Sequence, residues 1–402
     1  MPHERAYRYR FYPTPDQDAI LSRTLGCTRF VYNWALHLRT DAYAERQEHM
    51  SYADTSAALT ALKKAEATLW LNEVSSVPLQ QALRHLDRAF RNFFAGRAKY
   101  PVFKKKRHRQ AATYATSAFT WDAASKSLQL AKMDAPLAIV WSRQMPKDAR
   151  PSTVTVTRDA AGRYFVSILI AEDIRPKPVT PQMVGLDLGL HDAVTLSTGE
   201  KIGNERFFHQ DAKKLAHAQR DLARKQPGSK NREKQRRKVA KIHATIADRR
   251  NDFLHKLTTR LINENQVICV ESLAVKHLIR NHRLAKAIAD VGWGELIRQL
   301  AYKAVWYGRT VVAIDRFYPS SKRCHVCGHI LDSLSLDVRE WECPSCHTLH
   351  DRDVNAAINI LAAGLAVNAC GEAVRPGRTT SAQARPREAG RSRERSPESP
   401  GF

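Results

Sequence analysis

Four cysteines in two closely spaced pairs form the most specific chemical pattern in the sequence. They are Cys324, Cys327, Cys343 and Cys346. A C-x2-C pair can present two thiolates from one tight turn, and two such pairs can surround a single ion tetrahedrally. Four unrelated buried thiols are the alternative, which this spacing disfavours. The pattern predicts one structural Zn²⁺ ion with all four positions filled, so the ion itself would not be catalytic.

Three carboxylates occur where apolar patterns make a charge costly. Asp187 lies inside the buried-strand pattern 184–190, Glu271 ends the apolar run 266–270, and Asp353 opens an Ala/Ile-rich helical pattern behind the last cysteine pair. An unpaired buried carboxylate is destabilising, so we expect these groups to bind something. Three such groups could hold two Mg²⁺ ions about 4 Å apart, which activate water and stabilise the leaving oxygen of a phosphodiester. Helix capping is the alternative role for Asp353.

The composition indicates a polyanionic partner. Among 402 residues, 65 Lys and Arg stand against 40 Asp and Glu, a formal net charge of +25. Such an excess favours nucleic acid first and an anionic membrane second. No apolar run approaches the roughly 20 residues of a membrane span, and the N-terminus has no signal-peptide pattern. Because Cys27, Cys269 and Cys370 are scattered, a disulfide framework is excluded and the sequence predicts a cytoplasmic protein.

Two segments concentrate the positive charge. The loop 97–109 interleaves basic residues with Tyr100 and Phe103, which suits phosphate contact and base stacking. The segment 213–260 predicts two helical arms with sixteen Lys and Arg against four acids. Such a run is usually only a solvated face, but the apolar stripe on each arm indicates one face on the core and one on a polyanion. The candidate contacts are Lys104, Lys105, Lys106, Arg107, Lys234, Arg236, Arg237 and Lys241.

Two architectures must position these groups. Alternation at 6–12 and strand patterns at 112–172 predict a small β-barrel with a helical domain inserted into it. The three acids follow one another in the order Asp–Glu–Asp, and the segment that begins with Asp187's strand reads as three successive strands. Together these features predict an α/β RNase H-like sheet of the RuvC kind. The predicted boundaries are 1–14 for the first barrel strand, 15–99 for the helical insertion, 100–175 for the rest of the barrel, 182–322 for the nuclease domain with a basic helical hairpin at 205–262, 323–348 for the zinc ribbon, 349–370 for the last nuclease segment and 371–402 for a disordered tail.

Together these motifs resemble the TnpB family, compact transposon-encoded relatives of type V CRISPR effector nucleases. The resemblance covers nearly the whole chain except its tail. Asp353, rather than Asp351, stands at the family's acid position. The motifs are Phe11-Tyr-Pro-Thr14, Arg29-Phe-Val-Tyr-Asn33, Tyr100-Pro-Val-Phe-Lys104, Gly185-Leu-Asp-Leu-Gly189, Val270-Glu-Ser272, Tyr318-Pro-Ser-Ser321, the two cysteine pairs and His350-Asp-Arg-Asp-Val-Asn-Ala-Ala357.

The resemblance implies an RNA-guided endonuclease, encoded by a transposable element, that cuts double-stranded DNA beside a short flanking motif. It also implies a prokaryotic, nucleoid-associated protein that is monomeric with its guide RNA. A zinc-ribbon DNA-binding accessory or regulator without cleavage is the alternative, against which the intact acids argue. A guide-independent junction resolvase is a third option, disfavoured by the large helical insertion and the extra basic surface.

Overall fold

The computed structural model describes residues 3–369, apart from 147 and 336. The tail predicted at 371–402 lies outside the described residues, as does Cys370. The first half contains β1 (His3–Phe11), α1 (Pro15–Arg46), α2 (Tyr52–Leu62), α3 (Ser76–Phe94), β2 (Gln110–Ala115), β3 (Phe119–Asp122), β4 (Ser127–Leu130), β5 (Ile139–Val140), β6 (Pro151–Arg158) and β7 (Tyr164–Glu172).

The strands of the first half form an antiparallel sheet in the order β2-β6-β7-β1-β5. Tyr7, Tyr9 and Phe11 alternate into its core, as the period-two pattern of this strand predicts. The hairpin β3–β4 packs against the same core through Leu128 and Leu130. Within the described residues no hydrogen-bonded pair joins the edge strands β2 and β5, so the predicted barrel is observed as an open sheet with a separate hairpin.

The helices α1, α2 and α3 are inserted between β1 and β2. Thr14 and Gln17 form a capping box at the start of α1, and Pro15 occupies the first helical turn. Apolar residues recur every three or four positions along α3, at Leu79, Leu83, Leu86 and Phe90. They are buried against α1, as this helical spacing predicts. Gly96, with a positive φ of 67°, follows the end of α3.

The second half is built on another five-stranded sheet, in the order β10-β9-β8-β11-β12. The strands β8, β11 and β12 are parallel, and β9 pairs antiparallel with both β8 and β10. The elements are β8 (Met183–Asp187), β9 (Asp192–Leu196), β10 (Lys201–Gly203), α4 (Phe207–Gln210), α5 (Ala212–Ala223), α6 (Lys230–Glu264), β11 (Val267–Glu271), α7 (Val275–Leu278), α8 (Ala285–Val291), α9 (Trp293–Tyr307), β12 (Thr310–Ile314), β13 (Glu340–Glu342), β14 (Leu349–Asp351) and α10 (Arg352–Ala369).

Helices cover both faces of this sheet. Ile268 and Val270 of β11 face the core shared with α6 and α9, whereas Val267 and Cys269 face α10. The helix α10 packs unusually close to the strands. A Cβ at Gly185 would lie 2.1 Å from the carbonyl oxygen of Ala357, and one at Gly364 would lie 2.3 Å from Cys269 Sγ. Only glycine allows this approach.

The basic segment forms the predicted helical hairpin, with α5 and α6 packed side by side. The turn between them contains Gly228 at a positive φ of 82°. None of the helices in the described part of the chain is both long and apolar enough to span a membrane.

Candidate active site

Asp187 and Glu271 end two neighbouring parallel strands. Leu186 of β8 lies opposite Val270 of β11, so the two acids that follow these residues lie at the same carboxyl edge of the sheet. Asp353 approaches the same edge from the first turn of α10. Burial, and then the negative charges of Glu271 and Asp353, raise the pKa of Asp187 to about 7. Glu271 and Asp353 are therefore both close enough to act electrostatically on Asp187.

The structure separates the capping acid from the acid that faces the site. Asp351 Oδ1 accepts hydrogen bonds from the backbone N–H groups of Asp353 at 3.1 Å and Val354 at 3.0 Å, and its Oδ2 accepts from Lys201 Nζ at 2.6 Å. Asp351 is thus the capping residue of α10. The carboxylate of Asp353 is left to face Asp187, with Arg339 at 3.4 Å as its ion-pair partner.

Glu271 and Asp315 differ in what their carboxylates do. Glu271 Oε1 accepts a hydrogen bond of 2.6 Å from Ser320 Oγ, and its side chain is half-buried. Asp315, which follows β12 on the same edge, is exposed and accepts the backbone N–H of Phe317 at 2.7 Å. Asp315 therefore stabilises a turn, and Glu271 is the better-placed ligand.

The ligand atoms of the three carboxylates do not form a compact cluster around one position. Within the described residues, the four thiols are the only group of three or more His, Cys, Asp or Glu ligand atoms that all lie within 4.8 Å of one another. Two ions about 4 Å apart do not need all three carboxylates at one point, since each carboxylate can contact one or both ions. The oxygen donor set suits divalent cations, and so do the burial and the neighbouring negative charges that raise the pKa of Asp187.

The four cysteines have the dimensions of a zinc site. The Sγ atoms of Cys324 and Cys346 are 3.6 Å apart, and those of Cys327 and Cys343 are 3.5 Å apart. Tetrahedral Zn–S bonds of about 2.3 Å place the sulfurs about 3.8 Å apart, whereas a disulfide brings them to about 2 Å. The cluster thus fits Zn²⁺. We call residues 324–351 the zinc clip.

Thr348 favours the thiolate form of Cys346. Hydrogen bonds from Thr348 lower the pKa of the Cys346 thiol to about 6, and thiolate is the form that binds zinc. The imidazole Nε2 of His350 lies 3.0 Å from Cys324 Sγ. This buried histidine therefore serves as an outer partner of the sulfur, which a fully ligated ion leaves room for.

The candidate nucleic-acid contacts on the loop 97–109 are not equivalent. Lys105, Lys106 and Arg107 are exposed. Lys104 is exposed as well, but its Nζ lies 3.8 Å from the centre of the Tyr32 ring, and its backbone N–H and C=O are hydrogen-bonded to the side chain of Asn33. Burial lowers the pKa of Lys104. This residue anchors the loop.

The candidate contacts on α6 also divide. Lys234 and Lys241 are exposed. Arg236 instead makes two hydrogen bonds to Glu233, and Arg237 lies 3.7 Å from the same carboxylate. The hydrogen bonds from Arg236, and then the charges of Arg237 and Lys106, lower the pKa of Glu233. Lys106 therefore lies near Glu233 of α6, and we call the loop 97–109 together with α5 and α6 the basic surface.

The two aromatic residues of the loop have different surroundings. Tyr100 lines a cavity of about 440 Å³ together with Tyr43, Phe93 and Phe94. Phe103 is 54% exposed. Both positions remain predictions for base stacking.

Several residues around the acids have no signal of their own in the sequence. Lys201, Arg339 and Ser320 hold Asp351, Asp353 and Glu271, respectively. Lys201 and Arg339 lie in different parts of the chain, and no sequence motif connects them to the acids. Ser320 lies within the Tyr318-Pro-Ser-Ser321 motif, which was the only available indication of a role.

Three family models match the chain. The model described as "Probable transposase" matches residues 165–282, the model of the Cas12f1-like TNB domain matches 293–360, and a helix-turn-helix domain matches 1–48. Among solved structures, that of a Cas12f1–sgRNA–target DNA complex aligns with a TM-score of 0.54 at 13% identity, covering 89% of this chain and 98% of that chain. This likeness shows the fold.

Curated relatives match over most of their length. A protein of Streptomyces pristinaespiralis named as an RNA-guided DNA endonuclease is 56% identical, over 94% of each chain. InsQ of Escherichia coli K12, named likewise, is 36% identical over 93% of this chain and 96% of its own. Mimivirus proteins named TnpB-like match 53% of this chain at 26–27% identity. With the motifs at the acids and cysteines, these matches show that the chain belongs to the TnpB family.

Proposed function

We propose that this protein is an RNA-guided DNA endonuclease, encoded by a transposable element, that cuts target DNA next to a short flanking motif by two-metal phosphodiester hydrolysis. The observation that supports this most directly is the meeting of Asp187, Glu271 and Asp353 at one edge of the sheet, in a family whose members are named RNA-guided DNA endonucleases. A regulator without cleavage would have no need of three mutually repelling carboxylates.

The residues of this chain would divide the work at the active site. Asp187, Glu271 and Asp353 would hold two Mg²⁺ ions, which supply water activation and stabilisation of the leaving oxygen. Asp187 lies nearest the centre of the negative charge, because both other acids raise its pKa. Asp351 holds the start of α10, so Asp353 enters the site at a fixed angle.

The zinc clip would be structural. One Zn²⁺ ion on Cys324, Cys327, Cys343 and Cys346 would fold the segment that delivers α10. Because the four thiolates complete its coordination, the ion would take no part in the cleavage chemistry.

The partners would be a guide RNA and a double-stranded DNA target, bound by a monomer in the prokaryotic cytoplasm, in association with the nucleoid. Pairing with the guide would select most of the target, while the protein would recognise only the flanking motif and hold backbones. The basic surface, with exposed Lys105, Lys106, Arg107, Lys234 and Lys241, suits phosphates. The first half of the chain, with its helical insertion and aromatic cavity, is the better candidate for recognising the motif.

We retain the domain boundaries 1–14, 15–99, 100–175, 182–322, 323–348 and 349–370 as part of this proposal. In that division, the open antiparallel sheet with its helical insertion precedes an RuvC-like nuclease domain, into which the zinc ribbon is inserted before the last helix.

The test is to purify the protein from its own cells, sequence the RNA bound to it, and assay DNA cleavage programmed by that RNA. Cleavage in Mg²⁺ that follows the guide sequence, and is lost in Asp187→Ala, Glu271→Ala and Asp353→Ala while DNA binding persists, would support the proposal. Asp351→Ala is the matched control and should lose only part of the activity, because it loosens the start of α10 but removes no proposed metal ligand. Sequence-specific DNA binding with no bound RNA and no cleavage in any divalent ion would support the regulator instead.

A further inference from the structure

Ser320 is a buried serine whose side chain is aimed at the active site. It lies in the turn after β12 and is 6% exposed. Because Ile314 at the end of β12 lies opposite Glu271, the chain that leaves β12 passes over the carboxyl end of β11. Ser320 Oγ donates to Glu271 Oε1 at 2.6 Å. One carboxylate oxygen is thereby fixed, and the other is left for a ligand.

A hydroxyl in this position changes how a glutamate binds a metal ion. Glutamate has several rotatable bonds, and ordering them opposes binding unless the side chain is already held. A hydrogen bond to one oxygen holds the side chain in one position, so less ordering remains for the metal ion to impose. Outer partners of metal ligands act in this way, and their loss commonly weakens metal binding by about 10–100-fold.

Two asparagines of α10 hold the Ser320 turn in place. Asn359 Nδ2 donates to the carbonyl oxygens of Ser320 at 2.9 Å and Arg323 at 2.6 Å. Asn355 Nδ2 donates to the Arg323 carbonyl at 2.8 Å. Both side chains are at least 97% buried, where an amide is tolerated only with its partners in place.

The same asparagines connect the turn to the zinc clip. Asn355 Oδ1 accepts the backbone N–H of His325 at 3.1 Å, and His325 directly follows the ligand Cys324. Hydrogen bonds therefore run without interruption from the first zinc knuckle through α10 to the Ser320 turn and on to Glu271. Asp353 lies two residues before Asn355 on the same helix.

We propose that Ser320 is a positioning residue that holds Glu271 for metal binding, and that Asn355 and Asn359 join its turn to α10, so that the zinc clip sets the positions of Glu271 and Asp353 together. This inference rests on the proposed function and adds to it an outer partner for Glu271. It also explains how the zinc clip would influence the positions of two of the three acids, Glu271 and Asp353.

The test compares Ser320→Ala with Ser320→Thr, which keeps the hydroxyl, and with Ser321→Ala. Ser321 is the matched control, because its side chain makes no hydrogen bond within the described residues. The full chain with its guide RNA is used. In Ser320→Ala, we expect the Mg²⁺ concentration for half-maximal cleavage to rise about tenfold or more, with the rate at saturating Mg²⁺ reduced by less than about threefold. Ser320→Thr and Ser321→Ala should behave as wild type.

A second readout does not depend on cleavage. Mn²⁺ binding to the same complex is measured by electron paramagnetic resonance, with the Glu271→Gln complex as the background for ions bound by RNA. Weaker Mn²⁺ binding in Ser320→Ala alone supports the inference, even if the wild type proves not to cut DNA. Equal Mn²⁺ binding and equal Mg²⁺ dependence in Ser320→Ala and wild type would overturn it, while leaving the endonuclease proposal standing.

The role of the asparagines is tested by a double-mutant cycle. Asn359→Ala should weaken Mn²⁺ binding several-fold in the wild-type background but add little to Ser320→Ala, because both act through the same carboxylate. Additive losses would show that Asn359 does not act through Ser320.

Discussion

The carboxyl edge of the β8–β11 pair and the basic surface use charge in opposite ways. At the edge, three acids occupy single positions fixed by a strand register and a helix cap, and two of them act on Asp187. On the basic surface, many cations are exposed, two arginines share one acid, and Lys104 lies against an aromatic ring. Catalysis thus depends on individual residues, whereas a grip on a polyanion depends on their number.

The largest expected effect tests this contrast directly. Asp353→Asn should reduce single-turnover cleavage by at least about a thousandfold, because a ligand of the two ions is lost. Lys234→Gln should change it less than about twofold under the same conditions, since one phosphate contact among many is removed. Cleavage rates of guide-loaded protein measure both. A large effect of Lys234→Gln on the rate would place this lysine among the residues of the active site.

Loss of the zinc clip should have the next largest effect. Cys343→Ser should release zinc, loosen residues 324–351 and lower cleavage by about 10–100-fold through misplacement of Asp353. Elemental analysis of wild type should find one zinc ion per chain, and limited proteolysis should detect the loosened segment. Zinc-free wild-type protein that cuts at full rate would contradict a structural role for the ion.

The basic surface should respond to groups of substitutions and in proportion to their number. Lys234→Gln with Lys241→Gln should weaken DNA binding for all targets alike and lower the slope of log affinity against log salt by about 1.4–1.8. Arg236→Gln with Arg237→Gln should lower it less, because Glu233 already pairs with both arginines. Salt titrations of binding distinguish the pairs. A change in the preferred flanking motif would instead make the hairpin the motif reader.

The smallest expected effect concerns stability. An acid whose pKa is raised by folding stabilises the protein only while protonated, so the stabilisation is complete below pH 3.8 and is lost as the pH rises to about 7. At pH 8 without metal, Asp187→Asn should therefore raise the melting temperature by about a few degrees. Added Mg²⁺ should narrow the gap to wild type. A lower melting temperature for Asp187→Asn at pH 8 would show that burial and the neighbouring acids do not destabilise the ionised Asp187 carboxylate.

The sequence predicted helices and strands better than it predicted which side chains contact one another. The strand predicted at 6–12 is observed as β1 (His3–Phe11), and the two helical arms predicted within 213–260 are observed as α5 and α6, because alternation and amphipathic spacing are local properties. The family was also recognised from local motifs. The strand order that brings Asp187 beside Glu271 came only from the expected sheet type, since periodicity does not specify neighbours. The partners of single charges were not predictable, as Lys104 on Tyr32 shows, because they depend on residues distant in the chain.

The close packing of α10 on β8 has a consequence for synthesis. The acids come from β8, β11 and α10, so the nuclease centre is completed only when the last described helix has left the ribosome and docked. Gly185 then receives a helix made about 170 residues later, a long-range contact that forms slowly. A nascent or truncated chain can therefore hold nucleic acid on its basic surface before it is able to cut.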